Sequence, residues 1–143
     1  MLCRFQALLA ALWGGLLLGV AVIAAPSAFA VLDRAQAGKL VGRMFELDAQ
    51  IGLIAGLLLV LLERRAHREA QAATRGVSAE LLLPLLAMFC VVAGYYGIQP
   101  LMEAARAGQG AWSFAALHGV STVFFAIKIL AVIVLAWRLT GRR

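Results

Sequence analysis

The chain has 143 residues, 64% of them hydrophobic and 14% charged, with a formal net charge of +6. Soluble domains average about 45–50% apolar and about 25% charged residues, so a soluble fold of this size would expose more apolar surface than water tolerates. The basic residues sit in short segments beside apolar runs. This argues against nucleic-acid binding and for contact with anionic lipid headgroups.

The first apolar run extends from Phe5 to about Leu32, behind Arg4. Its end, Ala28-Phe29-Ala30, imitates a signal-peptidase site. The apolar core before it, Ala7 to Ala25, is however longer than the usual run of about 7–15 residues, and only one basic side chain precedes it. The expectation is therefore an uncleaved helix over about 5–32, kinked near its end by Pro26, which removes a backbone bond.

The second run is weaker. Ile51 to Leu62 supplies 12 apolar residues, whereas a membrane span takes about 20. The helix must begin earlier, at about 36, and carry Arg43, Glu46, Asp48 and Gln50 in its first half. Gly38, Gly42, Ala49, Gly52 and Gly56 share one face at about 100° per residue, and Gly15 and Gly19 make a similar pair on the first helix. Small residues at this spacing let membrane helices approach closely, so the first two helices are expected to pack together.

Residues 63–78 read as a loop with helical stretches, holding Arg64, Arg65, Arg68 and Arg75. A third apolar run, Leu81 to Gln99, has Pro84 in its first turn and Tyr95 and Tyr96 near its other end, and a helix is expected over 79–99. The fourth, over 111–138, runs from Trp112 to Trp137, about 38 Å of helix, with one Trp for each headgroup layer. The single domain, 1–143, is thus an all-α integral membrane four-helix bundle. Arg4, Arg64, Arg65, Arg68, Arg75, Arg138, Arg142 and Arg143 fall on one side, against Arg34, Lys39, Arg43 and Arg106 on the other. The excess of Arg marks the cytoplasmic side and places both termini there. In a bacterium that is the inner (plasma) membrane.

Ionisable groups inside spans are costly and become functional candidates by default. His118 lies in the fourth helix about two turns from Trp112, and Ser121, Phe125 and Lys128 continue roughly along its face. Glu46, Asp48 and Gln50 of the second helix, and Gln99 and Glu103 after the third, occupy the same outward half. A polar cluster of Glu46, Asp48, Gln50, Gln99, Glu103, His118, Ser121 and Lys128 is geometrically open to the bundle. Each member also has a plainer reading. His118 can simply hydrogen-bond a neighbouring helix, Lys128 can pair with a carboxylate, Arg43 and Glu46 can form a surface ion pair, and Gln99-Pro100 can merely end the third helix.

No cofactor is expected. His118 is the only histidine within a span, so two histidines of one chain cannot ligate a haem; a haem shared across a dimer or held by His and Met is what remains. Cys3 and Cys90 have neither CxxC spacing nor an adjacent His and read as small hydrophobes. The chain has no phosphate loop, nucleophile elbow or HExxH.

Several elements recur in an order that suggests a family. They are Trp13-Gly14 with Ala25-Pro26-x-x-Phe29, then Ala37-Gly38 with Gly42 and Phe45, then Gln99-Pro100-x-Met102, and last Phe114-x-x-x-His118-Gly119-x-Ser121. Together they resemble the transmembrane protein 205-like family, whose bacterial members carry domain of unknown function 4149. The resemblance implies four membrane helices and no established biochemical activity. It directs interest to Pro26, Gln99, Pro100, His118 and Ser121. Members often place an Asn one turn after the His-Gly-x-Ser element, where this chain has Phe125.

The leading expectation is a non-enzymatic multi-pass protein whose His118-centred cluster binds a small ligand or partner, or stabilises the bundle or a homo-oligomer. A transporter or accessory subunit is the first alternative, and four helices would require it to act as an oligomer. A haem- or porphyrin-binding membrane oxidoreductase is the second.

Overall fold

A computed structural model describes residues 2–69 and 78–141, apart from the side chain of Glu69. Arg75, Arg142 and Arg143, counted above toward topology, lie outside the described residues. Four helices are long and apolar enough to cross a membrane: α1 Leu2–Val31, α2 Arg34–Glu69, α3 Ala79–Arg106 and α4 Phe114–Gly141. No strand occurs among the described residues. The chain is an integral membrane protein that crosses four times.

The helix boundaries have identifiable causes. Asp33 starts α2, its Oδ1 accepting from the backbone N–H of Ala35 at 3.0 Å and of Gln36 at 2.9 Å, two of the amides a helix start leaves unpaired. Ser113 starts α4, its hydroxyl accepting from Ala116 N–H at 3.2 Å. Trp112 therefore stands just before α4 and not in its first turn. The third helix does not stop at Gln99 as expected from Gln99-Pro100. Pro100 falls in the first turn of a continuing segment, where its missing N–H breaks nothing, and Met102 N–H bonds Ile98 O at 2.9 Å. The stop comes at Gly108, whose φ of +73° lets Gln109 N–H reach back to Ala104 O at 2.8 Å and Gly108 N–H to Ala105 O at 3.2 Å. The second helix likewise runs through Glu63–Glu69, the start of the segment that reads in sequence as a loop with helical stretches. Its polar last turns leave the membrane without losing helical hydrogen bonds.

Two π-helical turns interrupt the spans, Gly19–Ala24 in α1 and Val92–Gly97 in α3. The first precedes Pro26. There Ala25 N–H bonds Val20 O, five residues back, and the widened turn accommodates a proline that donates no bond.

Each helix packs against its neighbours in sequence and α4 closes on α1, so the order around the bundle is α1, α2, α3, α4. Helices α2 and α4 are thus parallel and diagonal. At the end carrying the termini a single core forms from Ala10, Trp13 and Leu17 (α1), Ala55 and Leu59 (α2), Ala87 (α3) and Ala131, Val132, Leu135 and Leu139 (α4). Toward the far end the core divides. Ala28, Ala37 and Val41 join α1 to α2, and Ile98, Met102 and Leu117 join α3 to α4.

The glycines expected to pack helices behave unequally. A Cβ on Gly15, Gly19, Gly38 or Gly42 would meet nothing within 4 Å. On Gly52 it would lie 3.3 Å from Val91 and 3.4 Å from Trp13, and on Gly56 2.5 Å from Met88 Cγ. Helix α2 therefore uses its glycines mainly against α3. Its far half meets α1 through alanine and valine instead.

Candidate functional site

The division between one core and two helix pairs falls near a buried ion pair. Lys128 Nζ of α4 donates to Asp48 Oδ2 of α2 at 2.5 Å, and the two residues are 4% and 3% exposed. The pair spans the bundle diagonal, a reach that the long lysine stem supplies. Because α2 and α4 run parallel, the contact repeats one turn outward as an edge-to-face pair of Phe45 and Phe125, centroids 5.1 Å apart. The ammonium also lies 4.4 Å from the Phe125 ring centroid. The Cys90 thiol of α3 is buried within electrostatic reach of Lys128. The other carboxylate oxygen, Asp48 Oδ1, is buried without a hydrogen-bond partner among the described residues, as is Trp13 Nε1. The indole lies against Gly52, one turn from Asp48. A charge pair in hydrocarbon holds together because separating it would leave two unpaired ions in a medium that cannot solvate them.

The other proposed cluster members do not join this pair. Glu46 takes Arg43 at 2.7 Å with both half exposed, and Gln99 Nε2 donates to Glu103 Oε1 at 3.4 Å on the exposed far end of α3. Tyr95 stands within electrostatic reach of Glu46, Glu103 and Arg43, so these form a polar rim at the far end. Ser121 turns toward α3 and donates to Gly94 O at 2.9 Å within the π-helical turn. Removing this bond in Ser121→Ala is expected to lower stability by about 0.6 kcal/mol, the mean for hydrogen bonds between membrane helices. Thermal unfolding in detergent measures it. Gln50 points away from the bundle and makes no side-chain hydrogen bond among the described residues.

His118 is also exposed. Its ring stacks on Phe114, with centroids 5.8 Å apart and planes 11° from parallel, and the Arg106 guanidinium lies 4.6 Å from the same Phe114 centroid. Arg106, Phe114 and His118 form a ladder on the outer surface of the far end. Arg106 has no carboxylate partner among the described residues.

A second polar centre, not anticipated from the sequence, lies at the end carrying the termini. Glu63 is 1% exposed and accepts from Gln6 Nε2 of α1 at 3.1 Å and from Ser78 Oγ at 3.3 Å, with His67 Nδ1 3.3 Å from its Oε1. Glu80 of α3 takes Arg138 Nε of α4 at 3.0 Å. The available signal was register. Gln6 shares its helical face with Ala10, Trp13 and Leu17, and Glu63 shares one with Asp48, Ala55 and Leu59. Two hollows open at this end, about 250 Å³ lined by Leu61, Arg64, Arg65 and Arg68, and about 550 Å³ lined by Glu80, Trp137, Arg138 and Gly141. No group of three His, Cys, Asp or Glu side chains able to hold a metal ion occurs among the described residues.

The fold and its centre define a class: small four-helix membrane proteins clamped across the bundle by an ion pair. Within it, the chain belongs to the family of the domain of unknown function DUF4149, whose model matches residues 8–111. The match takes in α1, α2 and α3, including Trp13, Asp48, Gln99 and Pro100, and ends before α4. No curated protein and no solved structure matches the chain.

Proposed function

We propose that this chain is a non-enzymatic protein of the bacterial inner membrane, with both termini in the cytoplasm, that binds a phosphate- or carboxylate-bearing group at the outer boundary of the membrane. The observation that carries the reading is the exposed ladder of Arg106, Phe114 and His118. Phe114 holds a guanidinium and an imidazole against one ring, and neither has an acidic partner among the described residues. Both are donors suited to an anionic oxygen. Trp112 stands exposed beside them, as expected of a residue at headgroup level. Among the described residues Arg4, Arg64, Arg65, Arg68 and Arg138 lie at the end with the termini, which supports placing that end in the cytoplasm.

The test is native mass spectrometry of the whole protein released from vesicles of phosphatidylcholine with phosphatidylglycerol. Wild type is expected to retain phosphatidylglycerol, and the double variant His118→Ala, Arg106→Ala to lose most of it. Equal retention by the double variant overturns the reading.

Transport, alone or as an accessory subunit, is the second reading, and the buried Asp48–Lys128 pair is the observation that favours it. Charged residues within spans mark ion pathways as well as structural clamps.

A further inference from the structure

The face of α2 opposite Asp48 carries a pattern that the fold leaves unused. Leu47, Gln50, Ile54, Leu57 and Leu61 recur at alternating steps of three and four, the spacing that keeps a straight seam along a helix in a left-handed coiled coil. All five are exposed, the four apolar ones by 41% to 62%. Outward-facing leucines are what lipid asks of any membrane helix and would carry no argument by themselves. The amide is different. Gln50 makes no side-chain hydrogen bond among the described residues, and lipid tails offer neither donor nor acceptor.

Its depth follows from the neighbours. Phe45 of α2 meets Phe125 of α4 and Asp48 meets Lys128, with the two helices parallel, so Gln50 lies level with about residue 130. That is roughly 8 Å from the midpoint between Trp112 and Trp137 at 1.5 Å per residue, well inside a hydrocarbon half-thickness of about 15 Å.

We propose that α2 is a dimerisation helix: Leu47, Gln50, Ile54, Leu57 and Leu61 pack against the same seam of a second copy, and the two Gln50 amides hydrogen-bond across the two-fold axis. Three features select a second copy as the occupant. Copies inserted by one route share an orientation, so α2 meets its counterpart in parallel. A two-fold axis along the membrane normal then sets each seam residue against itself. A primary amide carries both donor and acceptor, which makes Gln50 complementary to Gln50. A single polar residue in an apolar heptad seam fixes register and copy number, and hydrogen bonds between side chains are one of the forces that join helices in lipid. The inference stands apart from the anion-binding ladder, which lies on α3 and α4.

The test uses the full chain in phosphatidylcholine vesicles. Energy transfer between labelled copies is expected to report a dimer, weakened roughly ten-fold by Gln50→Leu and largely kept by Gln50→Asn. In a Cys3→Ser background, oxidation of the Ile54→Cys variant is expected to join two copies, and the Leu130→Cys variant, on exposed α4, to remain single. Because Ile54→Cys keeps the glutamine, it tests the seam even if Gln50→Leu folds poorly. A monomer in vesicles, an unchanged dimer in Gln50→Leu, equal cross-linking at both positions, or cross-linking of Ile54→Cys only to another protein in native membranes would each overturn the proposal.

Discussion

Asp48→Ala is expected to lower stability by about 3–5 kcal/mol, because it strands the Lys128 ammonium in the bundle without its counter-ion. Lys128→Met should be comparably damaging for the converse reason. The two side chains reach each other across the diagonal at 2.5 Å and both are nearly inaccessible, so neither charge can turn to water without separating the helices. The double variant Asp48→Asn, Lys128→Met removes both charges together and should recover much of the loss, since two neutral groups of similar size leave no unpaired ion. Unfolding in mixed detergent, followed by circular dichroism, measures all three. If the double variant is as unstable as the sum of the singles, the pair is not what holds α2 to α4.

The second large effect is expected at Gly94. A Cβ there would fall 2.4 Å from Phe124 Cβ, an atom fixed to the α4 backbone that no rotamer change can move. Gly94→Ala should therefore force α3 and α4 apart and lower stability by about 1–3 kcal/mol, the range for overpacking a close contact. The displacement would also strain the Ser121 hydrogen bond to Gly94 O. Gly15→Ala serves as the control, since its Cβ would face open space, and alanine is the better helix former. Stability equal to or above wild type is expected for Gly15→Ala. The same thermal scan reads both variants. A Gly94→Ala protein as stable as wild type would show that the helices can separate freely there.

Asp48 and Lys128 stand out in the sequence because each is an ionisable residue in a span, but their pairing does not follow from it. That required α2 and α4 to lie parallel on a diagonal, with Lys128 long enough to reach. His118 shows how a shared face misleads. At about 100° per residue, His118 and Lys128 sit roughly 80° apart around α4, and this rotation carries one to the surface and the other to the core. The glycine stripe of α2 has the same flaw. The buried face holds Ala37, Val41, Asp48, Gly52, Ala55 and Leu59, rotated by roughly 75° from the centre of the stripe. Gly38 and Gly56 lie about five whole turns apart at the same rotation, so position along the axis separates them. Gly52 and Gly56 enter the interface where the four helices share one core, and Gly38 and Gly42 escape it at the far end, where the core divides. Gln6 and Glu63 carry little signal in the sequence because each sits near the end of an apolar run, where a polar residue ordinarily marks the interface.

Apolar run length and composition by themselves determined that this protein is helical, lies in a membrane and crosses it four times. Lipid satisfies no backbone group, so runs of this length must fold as helices. Local chemistry set some ends as well, through Asp33, Ser113 and Gly108. Only the tertiary structure decided which polar residues meet. A helix shows the same side chains to every direction until its neighbours choose its rotation, and those neighbours buried Asp48 with Lys128 while leaving His118 and Gln50 facing out.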